Sequence, residues 1–262
     1  MPQPGARRSD TFLLPEVAEA YRARPPYPDD VIDRLVDLAG GGRVLDLGAG
    51  EGSIGRRLVG RVESVDAVEP SIAMIGAGRG LPGGDGVVWH CETAETCALP
   101  GEFDLAVAGE AMHWFDLPVV IDRLRALLRP GRPLALVDRS TRHTRWPELV
   151  EIIKRYSTAP DYDPSYDVAD ELTARGLWLP VGELVPTARA FRQTPDDFLA
   201  ALRSTSSLAR PLMTAADNDA FDAAVLDWAR PITDPDGLLA LEVTARLVWG
   251  VIPFVSAERS PE

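Results

Sequence analysis

The stretch VLDLGAGEGSIGRRL, residues 44–58, constrains the fold of this chain more than any other part of its sequence. A short apolar run leads into the closely spaced glycines Gly48, Gly50 and Gly52, after which apolar residues resume at helical spacing. This order predicts a strand that turns tightly into a helix. Because such a turn lets a ligand approach the backbone closely, the loop is also the first candidate for a binding site.

Strand and helix signals alternate on both sides of this loop. Strands are predicted at 43–47, 64–69, 86–90, 103–108 and 133–138. Helices are predicted at 12–21, 29–39, 53–59, 71–77 and 117–129, with Asp29 or Asp30 as the N-cap of the second. Short strands joined by helical crossovers form parallel sheets, so the pattern predicts a doubly wound, Rossmann-like α/β core.

The alternation changes beyond residue 140. Further elements are predicted as helices at 146–157, 168–175, 195–203 and 217–229, a strand at 183–191 and a last strand within 238–254. We therefore expect a seven-stranded, mostly parallel sheet with an antiparallel last strand and a helical cap inserted after the fifth strand. The expected division is N-terminal helices over the binding site at 1–40, the core at 41–140, the cap or substrate region at 141–240, and the last strand and tail at 241–262.

Composition narrows the class of partner. The formal net charge of −13 would repel nucleic-acid phosphate, and no basic run with interleaved aromatic residues offsets it. No apolar run reaches the roughly 18 residues of a membrane span, and the first residues lack the apolar core of a signal peptide. Cys91 and Cys97 indicate neither a disulfide framework nor a metal site. We expect a cytoplasmic protein with a small-molecule partner and no metal, nucleic-acid or membrane partner; its oligomeric state is left open.

The glycine loop fits more than one ligand. Gly50, Gly52 and Gly55 match G-x-G-x-x-G, and Glu69 follows at the distance typical of dinucleotide sites, which would indicate an NAD(P)-dependent reductase. No Gly-Lys-Ser/Thr follows, so a P-loop is excluded. Asp46, however, brings a carboxylate close to the place where a pyrophosphate would dock, and a carboxylate suits a cationic ligand. S-adenosylmethionine, with its sulfonium and amino-acid end, fits a register that begins two residues earlier.

Several segments resemble, in order and spacing, the motifs of class I S-adenosylmethionine-dependent methyltransferases. VLDLGAGEG resembles the first motif, AVEPSIAM the acidic strand end, ETAETCALP the segment beside adenine, FDLAVAGEAMHWFD the fourth-strand motif and LLRPGRPLALVD the turn into the fifth strand. The N-terminal Y-x-x-R-P-x-Y-P is similar to a segment that closes over the cofactor. The resemblance spans residues 12–140 and extends to the branches that methylate small carboxylates such as trans-aconitate or tailor secondary metabolites.

The resemblance implies a set of cofactor-binding residues: Tyr21, Arg24, Asp46, Gly48, Ala49, Gly50, Glu69, Pro70, Met74, Thr93, Ala94, Glu95 and Glu110. In this assignment Glu69 binds the ribose, residues 93–95 flank the adenine, and Arg24 meets the methionine carboxylate. Glu110 stands where close relatives often carry Gln or Asn, and Thr93 stands where they commonly carry Asp.

Methyl transfer needs a general base only when the acceptor is protonated, as a hydroxyl is. His113 follows the fourth strand at the sheet edge where ligands bind, so we predict that it is the catalytic base. Tyr27, Trp114 and His143 are predicted to contact the substrate, although each also has a structural interpretation, in a turn, a core and a solvated loop respectively. The expected function is methyl transfer from S-adenosylmethionine to an oxygen atom of a small molecule, with a role in secondary metabolism. An NAD(P)-dependent reductase and a non-catalytic S-adenosylmethionine-binding scaffold are the alternatives.

Overall fold

The computed structural model describes residues 8–159 and 165–253. Three stretches lie outside the described residues. They belong to the predicted N-terminal tail, the loop after the sixth predicted helix and the C-terminal tail. The described strands are β1 (Arg43–Leu47), β2 (Ser64–Val68), β3 (Val87–His90), β4 (Leu105–Gly109), β5 (Pro133–Arg142), β6 (Leu179–Leu184), β7 (Arg189–Gln193) and β8 (Leu239–Val251). They form one sheet in the order β3-β2-β1-β4-β5-β8-β6, and β7 also pairs with β8.

The sheet confirms the mostly parallel, doubly wound α/β fold. Strands β1 to β5 pair in parallel, and β8 pairs antiparallel with β5, β6 and β7. This order reverses at β1 and β4, where the carboxyl ends of neighbouring strands open a crevice for a ligand. The glycine loop follows β1 and therefore lies at this crevice.

The expected strand count of seven is wrong by one. The predicted strand at 183–191 is two strands, because residues 185–188 separate β6 from β7 and Pro186 in this gap has no backbone N–H to donate. Both short strands pair along the same side of β8, which has 13 residues and is long enough to hold them in succession. Pairing with β8 also extends β5 to Arg142, four residues beyond its apolar run.

The helices follow the predicted positions with small shifts. They are α1 (Pro15–Tyr21), α2 (Asp29–Ala39), α3 (Gly55–Leu58), α4 (Ile72–Arg79), α5 (Leu117–Leu127), α6 (Trp146–Tyr156), α7 (Val168–Ala174), α8 (Pro195–Arg203) and α9 (Ala215–Ala229). The predicted helix at 12–21 is a 3-10 helix, Arg8–Leu13, followed by α1. The predicted N-cap of α2 is wrong: Pro28 holds that position, and the next two aspartates lie in the first turn, where their charge favours the helix N-terminus.

Apolar side chains cover both faces of the sheet, and a third cluster lies in the cap. Leu45 packs with α5 and α7 on one face, whereas Val44 packs with α2 and α3 on the other. The cap cluster joins α6, α8 and α9 to β8 through residues such as Phe221 and Trp228. Helix α1 contacts both α4 of the core and α8 of the cap, so it spans the crevice.

In the described parts of the chain, no helix combines the length and the apolar character that a bilayer crossing requires.

Candidate functional site

The glycine loop after β1 requires glycine for two separate reasons. Gly48, Gly50 and Gly52 all have positive φ, between 58° and 76°, which other L-residues adopt only with strain. In addition, a Cβ at Gly48 would lie 2.7 Å from the Cβ of Ala111, and a Cβ at Gly52 would lie 2.8 Å from the ring of Trp89. The loop therefore lies against the segment that follows β4, and the predicted glycines are in one tight turn.

Asp46 is buried beneath this loop, with an exposed fraction of 2%. Its Oδ2 accepts a hydrogen bond of 2.9 Å from the Gly55 N–H at the start of α3. Burial raises the pKa of the Asp46 carboxyl to about 7, against the lowering effect of that hydrogen bond, and the nearby Glu69 adds to the rise. Ionising Asp46 is therefore costly unless a cation comes to the site.

Glu69 joins the glycine loop to the end of β2. Its two carboxylate oxygens accept hydrogen bonds from the backbone N–H groups of Gly50, at 2.8 Å, and Ser71, at 2.9 Å. Burial raises the pKa of Glu69, while the two hydrogen bonds oppose the rise. Each oxygen keeps a second lone pair, so the carboxylate that shapes the loop can still accept a bond from a ligand hydroxyl.

A narrow cavity lies between the loop and the N-terminal segment. It is lined by Tyr21, Tyr27, Asp46, Gly48, Ala49, Ser53, Ile54 and Gly109. The Tyr21 ring lies over the loop, since a Cβ at Gly50 would lie 3.7 Å from it. Ser53 and Ile54 are not among the predicted site residues, although their position directly after the glycines, before α3, was a signal for them.

Glu110 lies next to the cavity, directly after Gly109, which ends β4 and lines the cavity. It is the one non-glycine residue with positive φ, 52°, in the described ranges 8–159 and 165–253. Its Oε2 accepts a hydrogen bond of 3.0 Å from the Tyr27 hydroxyl and one of 2.7 Å from Arg139 Nη2. Arg24 Nη1 lies 3.8 Å from the same oxygen. The structure thus joins the predicted Arg24, Tyr27 and Glu110 through an arginine that was not predicted.

Arg24 also connects the N-terminal segment to the cap. Its Nε donates to the Ser204 hydroxyl at 2.7 Å, and its Nη2 donates to the Ser204 carbonyl oxygen at 3.0 Å. The guanidinium stands 4.1 Å from the centre of the Tyr21 ring, a cation–π distance. The N-terminal segment beside the cavity is therefore attached to the end of α8.

His113 lies in a 3-10 turn between β4 and α5 and is partly exposed. Its ring is tilted against that of Trp114, with 4.7 Å between the ring centres, and Trp114 in turn meets Phe12 edge-on at 5.7 Å. Partial burial lowers the pKa of the His113 imidazole, and the charge of Glu110 opposes this shift. A second cavity of about 330 Å³ opens beside the histidine. It is lined by His113, Phe115, Asp116, Leu117, Pro118, Tyr166, Glu171 and Arg175.

His143 follows β5 and enters the cap. Its Nδ1 accepts a hydrogen bond of 3.1 Å from the Arg145 N–H, and its ring meets Trp228 edge-on at 5.7 Å. These contacts attach the histidine to the cap cluster. Neither of the two cavities includes it, so a substrate contact for His143 stays a prediction.

The predicted adenine segment has mixed exposure. Thr93 is exposed and shares a hydrogen bond of 3.0 Å with Thr96, while the Ala94 side chain is part of the core. Glu95 accepts a bond of 3.1 Å from the Asp116 N–H, which ties the segment to α5. Of the three residues predicted to flank the adenine, Thr93 is therefore the one whose exposed side chain could contact the adenine ring.

Pro70 and Met74, the last two predicted cofactor residues, differ in exposure. Pro70 is exposed at the carboxyl end of β2, whereas Met74 is 1% exposed and packs with Val17, Ala18 and Ala209. Met74 thus supports α1 from below.

The described residues contain no group of three or more His, Cys, Asp or Glu side chains placed to hold a metal ion.

Comparisons with known proteins agree with this geometry. A family model for a methyltransferase domain matches residues 44–131. Over 168 residues the chain is 39% identical to an uncharacterized methyltransferase of Mycobacterium tuberculosis, a match that covers 62% of this chain and 65% of that relative. It is 30% identical to a type II methyltransferase of solved structure from Anaeromyxobacter dehalogenans, with a TM-score of 0.57 and coverage of 87% and 97%. An S-adenosylmethionine-dependent methyltransferase from Geobacter sulfurreducens, solved with S-adenosyl-L-homocysteine, shares the fold at 14% identity, with a TM-score of 0.54 and coverage of 92% and 98%.

Proposed function

Because the chain belongs to the class I S-adenosylmethionine-dependent methyltransferases, we propose that it transfers a methyl group from that cofactor to an oxygen atom of a small molecule. One observation carries the proposal: the buried carboxyl group of Asp46 lines the crevice at the carboxyl ends of β1 and β4, and the buried carboxyl group of Glu69 holds the adjoining glycine loop. A cationic cofactor gains from such a wall, whereas a pyrophosphate is repelled by it.

The residues present fit S-adenosylmethionine. Asp46 is buried with a pKa near neutrality, and Glu51 in the glycine loop is 6% exposed with an Oε2 that has no hydrogen-bond partner in the described parts of the chain. The buried Asp46 favours a ligand that carries positive charge, whereas Glu51 already pairs through Oε1 with Arg56 Nη2 at 3.4 Å. We assign the cofactor's ribose to Glu69, its amino-acid end to the cavity with Asp46 and Arg24, and its adenine to the side of Thr93.

The bound cofactor supplies a methyl group on a positively charged sulfur, and the protein aligns the acceptor with it and excludes water. Helix α1, with Tyr21 over the loop, covers the crevice from the N-terminal side. The cavity beside His113 is the proposed acceptor site, because it opens directly after β4 at the same sheet edge. Its lining combines the aromatic rings of Phe115 and Tyr166 with polar and charged side chains such as Glu171, and this mixture suits a compact organic acceptor that carries polar groups.

His113 is the proposed general base for an acceptor hydroxyl. Partial burial lowers the pKa of His113, so its imidazole stays neutral, and able to accept a proton, at a lower pH than an ordinary histidine. We therefore expect the acid limb of the kcat/KM profile to lie below about pH 6.5. An acceptor that is already ionised, such as a carboxylate, would not need this base.

We also propose that the protein acts in the reducing cytoplasm, which the two unpaired cysteines, Cys91 and Cys97, support.

His113→Gln is expected to lower kcat about 100- to 10,000-fold on phenol or alcohol acceptors, because the proton then has no base to go to. On carboxylate acceptors the same variant should lose much less. The measurement is transfer of a labelled methyl group from S-adenosylmethionine to a panel of small phenols, alcohols and carboxylates. Equal losses on both acceptor types, or no loss on either, would contradict the role of a base.

Titration calorimetry separates the proposal from its alternatives. We expect S-adenosylhomocysteine to bind with a measurable heat and NADH to give none. Binding of NADH without binding of S-adenosylhomocysteine would overturn the proposal in favour of a reductase. Binding of S-adenosylhomocysteine with no labelled product across the whole acceptor panel would favour a non-catalytic scaffold.

A further inference from the structure

The ion pair between Arg139 on β5 and Glu110 at the end of β4 was not predicted from the sequence. Arg139 Nη2 lies 2.7 Å from Glu110 Oε2, and the Arg139 side chain is 5% exposed. Its Nη1 donates to the Pro25 carbonyl oxygen, and its guanidinium stands 4.5 Å from the centre of the Tyr27 ring. The arginine is thus held on three sides, and its position is set by the fold.

The contacts of Glu110 are one-sided. The Tyr27 hydroxyl, Arg139 and the more distant Arg24 all approach Oε2. No residue within 8–159 or 165–253 donates a hydrogen bond to Oε1. Two residues that line the cavity adjoin Glu110: Tyr27, which bonds to its side chain, and Gly109, which precedes it in the chain. Oε1 of Glu110 is therefore held next to the cavity and can still accept a hydrogen bond.

The other carboxylates of the cavity are less available. Both oxygens of Glu69 already accept backbone N–H bonds, and Asp46, with one oxygen bonded to Gly55, is only 2% exposed, whereas the Glu110 side chain is 24% exposed. Glu110 also adopts a left-handed backbone conformation, which a non-glycine residue keeps only when its surroundings impose it. The backbone N–H of Glu110 donates to the Val137 carbonyl oxygen at 2.8 Å, and the ion pair with Arg139 is the shortest of its side-chain contacts.

We propose that Arg139 is a positioning residue that fixes Glu110 through Oε2, so that Oε1 receives the ammonium group at the amino-acid end of the cofactor. This inference rests on the proposed function, because it takes that cofactor as the ligand of the crevice. Arg139 does not touch the ligand; it acts through Glu110. The pair therefore makes the site selective for ligands that keep the charged amino-acid end.

The test compares two ligands by calorimetry. S-adenosylhomocysteine carries the amino-acid end, whereas 5′-methylthioadenosine shares its adenosine and thioether and lacks that end. In Glu110→Gln and Arg139→Met, binding of S-adenosylhomocysteine should weaken roughly 10- to 100-fold, the scale of a charged hydrogen bond, while binding of 5′-methylthioadenosine stays within about threefold. Arg139→Lys, which keeps the charge, should recover part of the lost affinity.

The double variant tests whether the two residues act as a unit. Glu110→Gln with Arg139→Met should cost about as much as either single change, because residues that act through one another are not additive. The exposed pairs of the surface provide matched controls, Glu148→Gln and Arg192→Met, which should alter neither affinity. Thermal unfolding, together with retained 5′-methylthioadenosine binding, checks that each variant is folded.

The outcomes separate this inference from the proposed function. Equal weakening of both ligands would assign Arg139 and Glu110 a purely structural role and overturn the inference. An unchanged affinity for S-adenosylhomocysteine in Glu110→Gln would overturn it as well, while the proposed function would stand. If the unmodified protein bound neither ligand, the proposed function itself would fail.

Discussion

Replacement of Gly48 by alanine is expected to abolish measurable binding of S-adenosylhomocysteine. The added Cβ would lie 2.7 Å from the Cβ of Ala111 and 3.1 Å from the Phe115 ring, in a backbone with φ of 61°. The overlap can be relieved only if the loop or the segment after β4 moves, and both belong to the site. We expect the change also to lower the free energy of unfolding by about 1 to 3 kcal/mol.

Gly60→Ala is the matched control for this prediction. Gly60 has a φ of 76°, but nothing lies within 4 Å of the position of its Cβ. The control therefore suffers the backbone strain alone and should bind S-adenosylhomocysteine as the unmodified protein does. Calorimetry and thermal unfolding of both variants make the comparison. Binding by Gly48→Ala within threefold of the unmodified protein would contradict the assignment of this loop to the cofactor.

Asp46→Asn is expected to stabilise the unliganded protein above pH 7 and to weaken its binding of the cofactor. The pKa of the carboxyl is about 7 in the folded protein and near 3.9 in an unfolded chain. The folded state thus holds a proton that the unfolded state releases, and stability falls as pH rises from about 4 to about 7. Asparagine avoids that loss, as much as about 4 kcal/mol at pH 8, and its oxygen can still accept the Gly55 N–H.

Binding should show the opposite dependence on pH. A cation in the crevice favours the ionised form of Asp46, so affinity for S-adenosylmethionine, whose sulfonium is positively charged, should rise as pH increases through about 7. The asparagine variant should bind more weakly and with less dependence on pH. Thermal unfolding at pH 5 and pH 8 tests the predicted change in stability, and calorimetry at the same two pH values tests the predicted change in binding. A variant that is less stable than the unmodified protein at pH 8, or one with the same pH dependence of binding, would contradict the prediction.

Most of the parallel part of the sheet could be predicted because its strands are short apolar runs that alternate with helical segments. The predicted 43–47 coincides with β1, and the next strands differ from their predictions by one or two residues at either end. The edge beyond β5 was harder. The polar residues 139–142 gave no apolar signal, yet they are part of β5 because β8 pairs with them along their length. Tertiary pairing decided this boundary, and local pattern could not.

The candidate site divides in the same way. Asp46, Gly48 and Glu69 could be located because their chemistry is tied to the turn after β1 and to the end of β2. Arg139 could not, since its role depends on strand β5 extending past its apolar run and on Glu110 adopting a left-handed conformation. The first condition arises from pairing with β8, about 100 positions away, and the contact of Arg139 with Glu110 joins residues 29 positions apart; a local sequence pattern reports neither.

The length of β8 has a consequence for how the chain folds. In the described part of the chain β6 and β7 pair with no strand besides β8, although both are synthesised before it. The five parallel strands can assemble while the chain emerges from the ribosome, but β6, β7 and the edge of β5 wait for residues 239–251. Until then β5 exposes an open strand edge, the kind of surface at which nascent chains associate with one another. The last strand therefore determines when the sheet is protected from aggregation.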